Sequence, residues 1–261
     1  MLKLLVAFSL LTCNFGSGHV RVNKGTDVEE NEYPFVVVLF ITSIRREHGF
    51  YRKCTASMLT RDCALTAAHC VTNKKKRFYI WYGNYTVSPL LSNMYTPIIE
   101  KIRYPGFRYE FDKKKRVLRI EHDITLLRVE RSITLERYGR VSSLEYWNVM
   151  GSPVKFVGCG RTDKNGDDQL RPLQAGAEVT SQCSLKTRQL TNFVLCVSPP
   201  NNASASTAGG DSGGPLLHED KIVGLLSFGD DKEDAYVPIS PYITWISSKF
   251  RLHTKNKVKC S

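Results

Sequence analysis

Residues 209–216 read Gly-Gly-Asp-Ser-Gly-Gly-Pro-Leu and place one serine, Ser212, between glycines. Glycines let a backbone turn sharply and approach a bound molecule closely. A serine hydroxyl is a poor nucleophile unless a neighbouring base takes its proton. The stretch therefore predicts a reactive serine that needs a histidine and an acid from elsewhere in the chain.

Two further segments supply these residue types. Residues 65–70 read Leu-Thr-Ala-Ala-His-Cys, with His69 after small residues and beside a cysteine. Asp123 stands at the head of an apolar run, residues 124–127. The near-neutral pKa of histidine suits proton transfer, and a carboxylate can fix the imidazole tautomer and stabilise its protonated form. The three residues together predict nucleophilic catalysis.

The order His69, Asp123, Ser212, each in its own motif, resembles the trypsin/chymotrypsin family over residues 22–250. The resemblance implies that family's mechanism. Ser212 attacks the scissile carbonyl, His69 acts as general base and then as general acid, and Asp123 orients His69. The backbone N–H groups of Gly210 and Ser212 form the oxyanion hole.

The fold class follows from many short β-rich runs separated by turn residues. These runs are residues 35–40, 77–81, 124–129, 154–157, 192–197 and 221–228. Such spacing predicts an all-β sandwich or barrel. The resemblance specifies two antiparallel Greek-key β-barrels, at about 22–136 and 137–250, with the active site in the cleft between them. Near the C-terminus, apolar residues recur with helical spacing and predict an amphipathic helix. They are Tyr242, Ile243, Trp245, Ile246 and Phe250.

The chain begins with a positive start, an apolar run at residues 4–11 and small residues at 16–18. This pattern predicts a secretory signal peptide over residues 1–18, and no other segment is long and apolar enough to span a membrane. The resemblance implies a short activation propeptide at 19–21. Cleavage after Arg21 would free Val22, whose ammonium group would bury against Asp211. A basic tail is expected at 251–261.

Cysteine usage agrees with an oxidising environment. Cys13 leaves with the signal peptide, so seven of the eight cysteines remain. The resemblance implies two disulfides, Cys54–Cys70 and Cys183–Cys196. Cys63 and Cys159 each replace a tryptophan of the family and are interpreted as buried small apolar residues, although a bond between Cys159 and Cys260 stays open.

No cofactor or metal is expected. The cysteine spacing fits no zinc site, and the calcium-loop acids of trypsins are not recognisable around residues 84–93.

The resemblance also locates the substrate pocket, and here the sequence leaves alternatives. The base position is Ser206, and the opposite wall carries Asp234 where the family usually has glycine. Ser206 favours a broad or chymotrypsin-like preference, whereas Asp234 could attract a basic side chain. The family disulfide that braces this pocket is missing, because Ala208 stands at one of its positions and residues 230–234 contain no cysteine.

Other pocket positions follow from the same resemblance. Ser227, Phe228 and Gly229 match the edge that pairs with the substrate main chain like an added strand. Ile120 lies where the family lines the next subsite. Asn84 and Asn202 begin N-glycosylation sequons.

The formal net charge is +12, with basic clusters at 45–46, 74–77, 113–116 and 251–259. Such clusters can attract sulfated glycans, anionic membranes or nucleic acid. No aromatic interleaving or nucleic-acid motif accompanies them, which favours solvated loops.

The sequence thus predicts a secreted, monomeric serine endopeptidase that acts on proteins or peptides and meets protein inhibitors. It is not expected to bind nucleic acid or a membrane. The alternative is a non-catalytic or glycan-localised homologue that acts by binding. A homologue of that kind usually lacks one member of the triad, and this chain keeps all three.

Overall fold

A computed structural model describes residues 25–42, 49–114, 117–160, 170–191, 193–198, 207–229 and 233–255, with side chains as far as residue 250. The predicted signal peptide, the propeptide and the end of the basic tail lie outside this part of the chain. So do Arg21, Val22, Asn202 and Ser206.

The structure consists mainly of strands. They are β1 (Thr26–Asp27), β2 (Val36–Thr42), β3 (Phe50–Met58), β4 (Cys63–Thr66), β5 (Tyr79–Trp81), β6 (Tyr95–Arg103), β7 (Arg108–Phe111), β8 (Val117–Glu121), β9 (Thr125–Val129), β10 (Pro153–Gly158), β11 (Gln174–Ser181), β12 (Leu195–Ser198), β13 (Pro215–His218), β14 (Lys221–Gly229) and β15 (Asp234–Pro238). The helices are α1 (Pro89–Ser92), α2 (Leu185–Leu190) and α3 (Ile243–Lys255).

The first barrel closes in the order β2-β3-β4-β9-β6-β5. Its pairings are antiparallel. The run Val36–Phe40 in β2 is buried at every position. A strand that is apolar on both faces packs inside the barrel on one side and beneath neighbouring segments on the other. This explains why its sequence does not alternate between polar and apolar residues.

The second barrel has the order β11-β10-β13-β14-β15-β12, and β12 pairs back with β11 to close it. The short strand β1 adds to the outer edge of β11. The prediction of two antiparallel β-barrels with a C-terminal helix is confirmed. Four of the six predicted strand runs overlap strands β2, β9, β10 and β14 almost completely, whereas β5 and β12 begin two and three residues after the starts of their predicted runs.

Two elements differ from expectation. Helix α3 follows a 3-10 turn at Ser240–Tyr242 and continues to Lys255. The first five residues of the expected tail, 251–255, therefore belong to helix α3. Strands β7 and β8 form a separate two-stranded hairpin that the sequence analysis did not predict. Within the described residues, none of the helices has the length and apolar character needed to cross a membrane.

Both disulfides implied by the resemblance are present, Cys54–Cys70 and Cys183–Cys196. Cys63 is also disulfide-bonded, so its interpretation as a simple buried thiol is wrong. Cys159 is a buried free thiol, which agrees with that interpretation and rules out the bond to Cys260. Its Sγ lies 3.3 Å from the carbonyl oxygen of Gly210.

Candidate active site

His69 and Asp123 form a tightly held pair in the first barrel. His69 lies in a 3-10 turn at Ala68–Val71, directly after β4, and the bond from Cys70 to Cys54 ties this turn to β3. The Nδ1 atom of His69 lies 2.6 Å from Oδ2 of Asp123. The backbone N–H of His69 also donates to Oδ1 of Asp123 at 2.7 Å. Because Asp123 is almost fully buried, these two contacts fix both the position and the tautomer of the imidazole.

A third donor completes the shell around Asp123. The hydroxyl of Ser227, on β14 in the second barrel, donates to Oδ2 of Asp123 at 2.6 Å. Ser227 is itself buried, so its side chain supports the acid and does not face a substrate. The sequence analysis placed Ser227 on the substrate edge and missed this contact. Three donors therefore satisfy this buried carboxylate.

The serine loop is anchored to β3 across the cleft. The backbone N–H of Thr55 donates to the carbonyl oxygen of Ser212 at 2.9 Å, and the hydroxyl of Thr55 donates to the carbonyl oxygen of Gly210 at 2.9 Å. Gly210 has φ +114° and Gly213 has φ +78°. At Gly213 a Cβ atom would lie 2.0 Å from Oγ1 of Thr66. Only glycine fits this part of the loop, because both the conformation and the space exclude a side chain.

The anchored loop leaves two backbone donors available. Among the described residues, the N–H groups of Gly210 and Ser212 donate to no protein acceptor. Unpaired N–H groups in a loop beside a serine can stabilise an anion that forms there. In the same part of the chain, no hydrogen bond joins the hydroxyl of Ser212 to His69. Such bonds are often long before a substrate is bound.

Comparison with known proteins gives the family. The family model described as Trypsin matches residues 22–246. The chain belongs to the trypsin family. Serine protease SP24D of Anopheles gambiae is 27% identical over 244 residues, which cover 88% of this chain and 82% of the relative.

Two further comparisons give one relative in sequence and one protein of similar fold. Chymotrypsin-2 of Vespa crabro is 27% identical over 230 residues, which cover 85% of this chain and 96% of the relative. Neuropsin, a serine protease expressed in the limbic system of mouse brain, has a similar fold with a TM-score of 0.67. That match covers 87% of this chain and 98% of the neuropsin chain at 20% identity.

The acid before the serine is also buried in this trypsin-family chain. Asp211 accepts hydrogen bonds from the backbone N–H groups of Gly160 and Ala208. Burial raises the pKa of Asp211 from 3.8 to about 6, although these two bonds and the charge of Arg171 act in the opposite direction. The expected partner of Asp211, the ammonium group of Val22, lies outside the described residues.

Asp234, the residue predicted on the pocket wall, is held by Thr207. This carboxylate is buried, and its Oδ1 accepts from the hydroxyl of Thr207 at 2.6 Å while its Oδ2 accepts from the Thr207 backbone N–H at 3.1 Å. Asp234 therefore links β15 to the segment before the serine loop. The other predicted pocket residue, Ser206, is not among the described residues.

The substrate edge has an open side. Phe228 and Gly229 pair with β15 on one side of β14, whereas the pairing with β13 stops at Leu225 and Pro215. Leu226 continues this side through backbone hydrogen bonds with Gly213 and Gly214, so among the described residues the part of β14 that can accept an added strand begins at Ser227. Phe228 is half-buried and Gly229 is exposed.

Ile120 is buried and lies directly opposite Tyr109 in the β7–β8 hairpin. The half-buried ring of Tyr109 has its centroid 5.8 Å from that of His69. Tyr109 is therefore the hairpin residue that lies beside the histidine, and Ile120 shares its face of the hairpin. The sequence analysis missed it, although the alternation of charged and apolar residues in 108–111 indicates a two-faced strand.

Two remaining predictions concern glycosylation and metals. Asn84 is exposed, and its Oδ1 accepts from both the backbone N–H and the hydroxyl of Thr86. Among the described residues, Cys54, His69 and Cys70 form a group of closely spaced potential metal ligands. These two cysteines are bonded to each other, so their sulfurs cannot act as thiolate ligands.

Proposed function

We propose that the chain is a secreted serine endopeptidase that hydrolyses peptide bonds through Ser212, His69 and Asp123. The observation that carries the proposal is the geometry at Asp123. Its carboxylate accepts from the imidazole and the backbone of His69 and from Ser227, and these groups come from both barrels. A histidine with a merely structural role in the core does not require a carboxylate that is held by three hydrogen-bond donors from both barrels.

In the proposed reaction, Nε2 of His69 takes the proton of the Ser212 hydroxyl as the oxygen attacks the scissile carbonyl. The imidazolium that forms is stabilised by Asp123, and it then protonates the leaving amine. The N–H groups of Gly210 and Ser212 stabilise the oxyanion. Water hydrolyses the acyl-enzyme with His69 acting again as the base.

The substrate main chain would add to the open side of β14 at Ser227, Phe228 and Gly229. Activation would require cleavage after Arg21, with the new terminus at Val22 paired to Asp211. The burial of Asp211 supports this step, because an ammonium group would supply the cation that a buried carboxylate requires.

A signal peptide over residues 1–18 directs secretion, and Asn84 and Asn202 carry glycans. Protein inhibitors bind in the same cleft.

A fluorophosphonate probe tests the catalytic proposal. The precursor is cleaved after Arg21, and we expect the probe to label Ser212 and the chain to hydrolyse peptide substrates. Ser212→Ala is the matched control and should lose both activities while it keeps its fold. Cleaved, folded protein that neither reacts with the probe nor hydrolyses any peptide would show a non-catalytic homologue that acts by binding.

A second role, localisation by sulfated glycans, is favoured by one observation. The cluster Lys74-Lys75-Lys76-Arg77 is exposed, and so are Lys113 and Lys114. Exposed cations of this density attract polyanions, and the attraction is screened by salt. Retention on heparin that falls as salt rises, and falls further when residues 74–76 are changed to alanine, is the expected result.

A further inference from the structure

Thr55 on β3 is a fully buried threonine that contacts the serine loop at two points. Its backbone N–H donates to the carbonyl oxygen of Ser212 at 2.9 Å, and its hydroxyl donates to the carbonyl oxygen of Gly210 at 2.9 Å. The same hydroxyl oxygen accepts from the backbone N–H of Cys159 at 3.1 Å. One residue of the first barrel therefore holds the loop next to each of its two unpaired N–H groups.

The thiol of Cys159, directly after β10 in the second barrel, is a second donor to the Gly210 carbonyl. Its Sγ lies 3.3 Å from that carbonyl oxygen and 3.2 Å from the hydroxyl oxygen of Thr55. A hydroxyl has one proton, and the carbonyl oxygen is a nearer and stronger acceptor than a sulfur, so the Thr55 proton belongs to Gly210. The Gly210 carbonyl is thus held by one donor from each barrel.

The peptide unit between Gly210 and Asp211 is therefore fixed on both sides. Its carbonyl accepts from Thr55 and Cys159, and its N–H donates to the carbonyl oxygen of Ala208 at 3.0 Å. Gly210 has φ +114°, and a glycine with an unanchored neighbour could rotate its N–H into many other directions. Anchoring the peptide unit that follows Gly210 limits these rotations.

We propose that Thr55 is a positioning residue for the oxyanion hole. Its hydroxyl, with the Cys159 thiol, holds the Gly210 carbonyl so that the Gly210 N–H stays directed at the oxyanion formed by attack of Ser212. A donor that is in place before the charge develops needs no reorganisation during the reaction. The inference rests on the proposed function and adds a residue that touches neither the substrate nor the reacting atoms.

The proposal predicts a loss that is confined to the transition state. The carbonyl oxygen of a bound substrate carries little charge, whereas the tetrahedral oxyanion carries a full charge, so a misdirected N–H weakens the second state far more than the first. Complete removal of an oxyanion-hole donor lowers kcat by about 100- to 1,000-fold. Loosening a donor costs less, and we expect Thr55→Val to lower kcat by roughly tenfold with little change in KM.

The experiment measures kcat, KM and the inhibition constant of a peptide aldehyde on the chain cleaved after Arg21. The aldehyde adds to the Ser212 hydroxyl and forms a hemiacetal whose oxygen occupies the oxyanion hole, so its affinity follows that of the transition state. Thr55→Val should weaken aldehyde binding by about the same factor as kcat/KM. Thr55→Ser keeps the hydroxyl and should retain a kcat within about threefold of the wild type.

Thr180→Val is the matched control, because Thr180 on β11 is also a buried threonine whose hydroxyl bridges backbone groups. It accepts from the N–H of Ser152 and donates to the carbonyl oxygen of Val149. Thr180→Val should lower the midpoint of urea unfolding, as Thr55→Val does, but leave kcat and aldehyde affinity unchanged.

A second pair of variants decides the question if Thr55→Val does not fold. Cys159→Ala removes the other donor to the Gly210 carbonyl and should lower kcat about threefold at constant KM, whereas Cys159→Ser keeps a donor and should not. Equal kcat values for these two variants would then contradict the proposal.

Two outcomes would overturn the inference while leaving the proposed function intact. One is a folded Thr55→Val variant whose kcat stays within about twofold of the wild type. The other is a loss that Thr55→Ser does not restore, which would assign the effect to the packing of Thr55 and not to its hydroxyl. Failure of the proposed function is distinguishable, because the wild type would then neither react with the fluorophosphonate probe nor cleave any substrate.

Discussion

Replacing Glu178 by glutamine is expected to make the free energy of unfolding less dependent on pH. Glu178 lies on β11 in the second barrel, and its burial raises its pKa to about 8 in the folded chain against an ordinary value of 4.5. The folded state therefore binds more protons than the unfolded state between these two values. The stability contributed by the protonated acid is complete below pH 4.5 and is lost as pH rises through 8. Each pH unit within this window removes about 1.4 kcal/mol.

Between pH 6 and 8 the loss assigned to Glu178 is thus about 2 kcal/mol, since titration slows close to the folded-state pKa. Glutamine has nearly the same shape as the protonated acid and does not ionise. Urea unfolding with the disulfides intact, at both pH values, measures the effect as the difference between wild type and Glu178→Gln. Burial of Asp211 raises its pKa as well, but Asp211 is common to both proteins.

The control for this experiment is Glu130→Gln, because Glu130 is exposed. The difference between wild type and this control should stay constant from pH 6 to 8. A difference between wild type and Glu178→Gln that is equally constant would show that Glu178 is ionised in the folded chain. It would refute the reasoning from burial.

Three other substitutions, the first with a matched control, test the site. Gly213→Ala should cost well over about 2 kcal/mol in urea unfolding, because φ is +78° and a Cβ would meet neighbouring atoms. Gly151→Ala, with φ +76° and open space around it, should cost only about 1 kcal/mol, and equal losses would mean that the steric argument is wrong. Ser227→Ala removes a hydrogen bond to the Asp123 carboxylate and should lower kcat roughly tenfold; an unchanged kcat would show that the other two donors suffice. Tyr109→Ala should change kcat/KM mainly for substrates with a bulky residue next to the primary one, whereas a uniform loss would indicate that the ring only positions His69.

Much of the architecture could be predicted from the sequence. Runs such as Val36–Phe40 are apolar on both faces, so their burial in a barrel follows from composition alone. The motifs around His69 and Ser212 add the family resemblance, which supplied the two-barrel arrangement and both disulfides. In these segments the apolar pattern of the strands and the family motifs pointed to the same fold, and the prediction of two barrels was confirmed.

The remaining features depend on contacts between distant segments. The side chain of Ser227 turns toward Asp123, which lies 104 residues away in the sequence. The β7–β8 hairpin was missed because four consecutive basic residues, 113–116, interrupt its pattern. Glu178 lies in a short run with no strong alternation, so only closure of the barrel reveals that it is buried.

The link between Asp234 and Thr207 has a consequence for chemical resistance. In relatives that brace this pocket with a disulfide, a reductant can open the brace. Here two hydrogen bonds join Asp234 to Thr207, and no thiol chemistry acts on them. The link between Asp234 and Thr207 should therefore be insensitive to mild reductants.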